Sequence, residues 1–103
     1  EDWRIVSEDA LEKHWAVVEV AFFDNVECKG QLSGTPASSG SAGNRFVTGA
    51  VDGRLDTSWW SEASMPPLGA WVGLAFGDKQ VVKCVQLIQL ARPEGFSTPR
   101  VQL

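Results

Sequence analysis

Apolar and polar residues alternate along several stretches of this chain, and the alternation has the two-residue period of a strand. In AWVGLAF, 70–76, Val72, Leu74 and Phe76 fall on one face and Trp71, Gly73 and Ala75 on the other. QVVKCVQLIQLA, 80–91, follows the turn GDK and is the strongest strand pattern. Its Gln86 and Gln89 leave it half wetted, as on an outer sheet face. HWAVVEVAFFD, 14–24, puts Ala16, Val18, Val20 and Phe22 on one face and Trp15, Val17, Glu19, Ala21 and Phe23 on the other. A short apolar run also suits a buried helix, but three valines and two phenylalanines favour a strand. RVQL, 100–103, begins a further strand.

Between these runs the pattern changes. SEDALEKHW, 7–15, predicts a turn or two of helix, with Ser7 as N-cap and Glu8 and Asp9 at the positive end of the helix dipole. SGTPASSGSAGN, 33–44, reads as a long small-residue loop inside the domain, since apolar periodicity resumes on both sides. Glycine and proline punctuate the apolar runs. The whole predicts an all-β chain, a β-sandwich or jelly roll of antiparallel strands.

The length, 103 residues, suits one domain, with 1–14 as a lead-in and 15–103 as the sandwich. The net charge of −4 offers no positive field for phosphates, which argues against nucleic acid, and no polybasic attraction to anionic lipid. No apolar run approaches the length of a membrane-spanning helix, and direct membrane insertion is not expected. Glu1 and the strand-like run ending at Leu103 read as cuts in a longer chain.

Cys28 and Cys84 fit no close-spaced zinc motif. Two readings stay open: one disulfide, which implies an extracellular, secretory or organelle-lumen location (the thylakoid lumen among them), or two buried thiols.

Four segments in order resemble the discoidin, or coagulation factor 5/8 type C, family of galactose-binding-like domains. ASSG, Ala37–Gly40, resembles its early small-residue segment. AVDGRLDTSW, Ala50–Trp59, resembles its A-x-D-G-x-x-x-T-x-W loop. WVGLAFG, Trp71–Gly77, resembles its W-x-x-x-D-L-G strand, with Ala75 where the family has aspartate. VVKCVQLIQL resembles the strand that follows. WAVVEVAFFDNVEC resembles an opening strand of the family more loosely. The resemblance implies a jelly-roll sandwich whose last strands lie past Leu103. It also implies a binding module that recognises a glycan or a protein surface through loops at one end.

In carbohydrate-binding members of the family the loop matching 49–57 often holds a structural calcium. Asp52 and Thr57 fall on the matching positions, and the carbonyls of Gly49 and Arg54 are further oxygen candidates. The plainer reading is that Asp52 and Thr57 only pin a turn. Adjacent residues of a strand face opposite ways, so Trp59 and Trp60 do not both enter the core of one strand; the resemblance makes Trp59 the packing residue, which leaves Trp60 outward or under the loop SEASMPPLG, 61–69. Trp60, Met65, Leu68, Arg92 and Phe96 are the candidate contact residues for ligand or partner. The one histidine, His14, reads as a surface residue, and nothing in the spacing of Ser58, His14 and Asp52 makes a nucleophile elbow or oxyanion hole. No catalytic constellation is expected. The alternative to a binding module is an accessory subunit docked into a large assembly, membrane-associated or photosynthetic.

Overall fold

The computed structural model describes residues 2–90 and 101–103. The described residues are all-β, with seven strands in two antiparallel sheets. The strands are β1 (Asp2–Ser7), β2 (Ala16–Phe23), β3 (Thr35–Ser38), β4 (Trp59–Trp60), β5 (Trp71–Ala75), β6 (Cys84–Gln89) and β7 (Val101–Gln102). A four-stranded sheet runs β3-β5-β1-β7 and a three-stranded sheet runs β4-β2-β6. One 3-10 turn, Val47–Ala50, lies between β3 and β4.

The alternation in the sequence becomes the core. Ile5, Val72 and Leu74 come from the larger sheet and Val17, Val20, Phe22 and Trp59 from the smaller, and all belong to one buried cluster. At its centre Trp15 and Trp59 meet edge to face, with ring centroids 5.6 Å apart. Both are fully buried, so their indole N–H groups need acceptors. Trp15 Nε1 donates to Gln89 Oε1 at 2.7 Å, and Trp59 Nε1 donates to the Gly40 carbonyl at 3.0 Å.

Four expectations are corrected. No helix starts at Ser7. Its hydroxyl donates to the Asp9 carbonyl instead of capping amides, and the residue closes β1. The lead-in 1–14 is no lead-in, because β1 pairs along its length with β5, from Asp2 opposite Ala75 to Val6 opposite Trp71. The small-residue loop 33–44 contains the edge strand β3, paired with β5 from Thr35 to Ser38. Its Pro36 is tolerated on an edge, where one side of the strand needs no N–H.

The fourth correction concerns β2. Its pairing with β6 slips between Val17 and Glu19, so one extra residue enters the strand. A bulge of that kind turns every later side chain to the other face. Trp15 and Val17 before it, and Val20 and Phe22 after it, therefore share the core, where strict alternation would have separated them. Glu19 is left half-exposed, opposite exposed Ile88 of β6.

Cys28 and Cys84 form a disulfide, with Cα atoms 5.5 Å apart. It joins the turn after β2 to the start of β6, where Cys84 already faces Phe23 across the ladder. No helix among the described residues is long and apolar enough to cross a membrane. The disulfide is compatible with an oxidising extracellular or lumenal location.

Candidate functional site

The loop 49–57 is held by its own side chains. Asp52 Oδ1 accepts the Arg54 amide at 3.0 Å, an Asx turn. Gly53 takes φ +74°, which a glycine adopts without a Cβ penalty, and its amide donates to Glu19 Oε1 of β2 at 3.2 Å. Gly49 must also stay small, since a Cβ there would lie 2.8 Å from the Ser58 carbonyl oxygen. Thr57 Oγ1 lies 2.6 Å from Asp52 Oδ2 and 3.2 Å from the Gly49 carbonyl oxygen. It has one proton for two acceptors, and the charged one takes the shorter bond. Arg54 and Asp56 form an exposed bidentate pair, at 2.9 and 2.7 Å.

The electrostatics follow from these contacts. The Thr57 hydroxyl, and then the Arg54 amide, hold the Asp52 carboxyl below its usual range. The hydrogen bonds from Arg54 do the same for Asp56, and that pairing raises the Arg54 guanidinium. Glu19 moves the other way. Partial burial raises it and the charge of Asp52 adds to that, against the opposing bond from Gly53.

Of the four residues assigned to a cation, Asp52, Thr57 and Gly49 bring their oxygens together. Arg54 instead contributes its amide to Asp52. Among the described residues no cluster of three or more His, Cys, Asp or Glu side chains could hold a metal ion.

Beside this loop lies a cleft of about 510 Å³ between the segments 44–49 and 52–58. Asn44, Phe46, Thr48, Asp52, Asp56 and Ser58 are among its lining residues. Phe46 is 58% exposed and sits just before the 3-10 turn, where its carbonyl accepts the Gly49 amide at 3.0 Å. The next residue back, Arg45, is fixed by accepting the Trp60 amide at 3.2 Å. Sequence reasoning missed Phe46 and Asn44. A lone phenylalanine in NRFVTG reads as core, and only the placement of the 3-10 turn shows that its ring stays out.

Trp60 is not an open platform. It is half-buried, its indole N–H donates to Ser58 Oγ at 2.9 Å, and the Arg45 guanidinium sits 4.8 Å from its ring centroid. His14 lies 5.6 Å from it, ring to ring, and makes a 2.7 Å hydrogen bond through Nδ1 to the Ser61 carbonyl. A ring flanked in this way braces the end of β4 and leaves Phe46 as the exposed aromatic of this end among the described residues.

Met65 and Leu68 share the loop 61–70. Met65 is half-buried in a bridge to Leu11, while Leu68 is 53% exposed. Arg92 and Phe96 lie outside the described residues. Comparison with protein-family models, with curated proteins and with solved structures finds no match to this chain.

Proposed function

We propose that this chain is a non-catalytic binding module whose ligand cleft lies between 44–49 and 52–58, and that it takes carbohydrate. The observation that carries the reading is one exposed aromatic ring, Phe46, set beside a cleft lined by amide, hydroxyl and carboxylate groups. A pyranose presents an apolar face of C–H groups and a rim of hydroxyls. A ring to stack on and fixed donors and acceptors are what it requires. A cleft of about 510 Å³ is of the right size for one or two sugar units. The resemblance of AVDGRLDTSW to the galactose-binding-like loop, and the jelly-roll reading that goes with it, support the same conclusion.

Calcium belongs to this reading. Asp52 Oδ2 and the Gly49 carbonyl oxygen both lie within 3.2 Å of Thr57 Oγ1, and all three are the kind of oxygen donor that calcium takes; an ion there would replace the Thr57–Asp52 hydrogen bond. Bound there, the ion would brace the loop that forms one wall of the cleft.

The test is a titration of the isotope-labelled chain with galactose and with lactose, followed by amide shifts. The expected result is movement at Phe46, Gly49 and Gly53, weakened at least tenfold by Phe46→Ala, the worth of about one stacked ring. Absence of any shift, with these sugars and across a glycan array, would sink the reading. The second reading, an accessory subunit of a larger assembly, draws on a different feature: the exposed apolar tip of the loop 61–70.

A further inference from the structure

The loop 61–70 is built around a tight turn whose N–H of Gly69 donates to the Pro66 carbonyl at 3.0 Å. Pro67 and Leu68 are its central residues, and Leu68 has φ +63°. Proline followed by a residue of positive φ is the signature of a type II turn, whose third position asks for glycine or asparagine. Here it holds leucine, a bulky residue for which that conformation is a true outlier. Ser64, four residues earlier, is also left-handed, at φ +58°.

The strain is not repaid inside the fold. Pro66, Pro67 and Leu68 are all exposed, so the leucine gains little burial in the free chain. The tip is nonetheless held rigidly. The Leu68 amide donates to the Ser7 carbonyl at 2.9 Å, the Ser7 amide to the Ala70 carbonyl at 3.0 Å, and the Leu11 amide to the Met65 carbonyl at 2.8 Å. Two successive prolines fix further backbone angles. An apolar tip that is already ordered loses little entropy on docking.

The same hydrogen bonds decide what surrounds it. They zip 65–70 against 7–11, a segment that carries Glu8 and Asp9 and runs on into Glu12 and Lys13. The charged residues of 7–13 are three acids and one lysine, and 65–70 carries none. An acidic surround repels anionic lipid and attracts a basic rim.

We propose that the Pro66-Pro67-Leu68 tip is a preformed docking point for a protein partner that offers an amphipathic helix with an apolar face flanked by lysine or arginine. This stands independently of the glycan cleft and involves none of its residues.

Two helical peptides serve as probes, one with a leucine face flanked by lysines and one with glutamate at each lysine position. Vesicles of phosphatidylcholine and phosphatidylserine are the third. Amide shifts of the labelled full chain report binding. The lysine peptide is expected to move Ser64, Leu68 and Gly69, more weakly as salt rises to about 0.3 M. The glutamate peptide and the vesicles are expected to leave them still. Leu68→Asn removes the apolar tip while suiting the left-handed backbone, and should weaken the lysine peptide about tenfold. Leu68→Gly is the parallel variant. Both keep the turn, so lost binding cannot be lost folding. The proposal is overturned if no peptide moves these amides, if both peptides move them equally, if the variants bind as wild type does, or if only the vesicles bind.

Discussion

Two loops of this molecule solve the same geometric problem in opposite ways. Each must reverse the chain beside β4, and each uses a left-handed residue to do it. The loop 49–57 places that conformation on Gly53 and pins the turn with Asp52 and Thr57. The loop 61–70 places it on Ser64 and Leu68 and is held from outside, by backbone bonds to 7–11. The first loop carries its own instructions in its side chains. The second borrows its shape from the scaffold and keeps an unfavourable residue at its tip. Local chemistry is therefore enough to explain the first. The second holds a strained, exposed leucine that the fold around it does not account for, and that residue is the ground of the docking proposal.

Removing the pin should have the largest effect. Asp52→Ala takes away the acceptor of both the Arg54 amide and the Thr57 hydroxyl, and should cost about 1 kcal/mol in denaturant unfolding. Calcium should raise the melting temperature of wild type and leave that of the variant unchanged. Equal melting of the two, with and without calcium, would show that the first loop is not held by its side chains. The contrast would then collapse.

Leu68→Gly should act in the other direction. Glycine relieves the left-handed strain and should stabilise by about 1 kcal/mol, less the extra freedom it gives the unfolded chain. A loss of stability would mean that Leu68 contributes packing to the fold, and the two loops would no longer differ in kind.

The smallest effect is expected at Glu19→Gln, where the amide keeps an oxygen for Gly53. The folded Glu19 carboxyl is raised, so its ionisation costs stability as pH rises through the raised value. The variant should therefore gain stability near neutral pH, by less than about 1 kcal/mol after solvent screening, and lose that advantage in acid. Asp52 has the reverse sign. Its lowered carboxyl contributes above its unfolded value and loses the contribution as pH falls through the folded one. Thermal melts across the acid range separate the two carboxylates.

Strands were legible where one face is dry and the other is mixed. β5 shows this best, since Val72 and Leu74 are buried and Trp71 and Ala75 are half-buried, as the alternation requires. β1 was hidden because polar Asp2 and Arg4 dilute a short run whose apolar residues, Trp3 and Ile5, point one way. β3 was hidden because an edge strand of small residues has almost no apolar signal. The bulge in β2 leaves no mark in a run that is apolar on both faces, so strict alternation put Trp15 and Val17 on the face opposite Val20 and Phe22, although all four share the core. At the site, the turn chemistry of Asp52 and Thr57 was readable because the partners lie within one loop. The cleft was not, because it depends on where a 3-10 turn carries Phe46 relative to a segment several residues further on.

The bond between Cys28 and Cys84 closes a ring that contains β3, β4, β5 and both of these loops, while β1 and β2 lie outside it. A protease reaching the exposed tip at Leu68, or the exposed Arg54, would cut inside that ring. The two pieces would stay covalently joined through the sulfur bridge. The nicked chain would migrate as a single species until a reductant released its halves, so either surface loop can be clipped without the molecule coming apart.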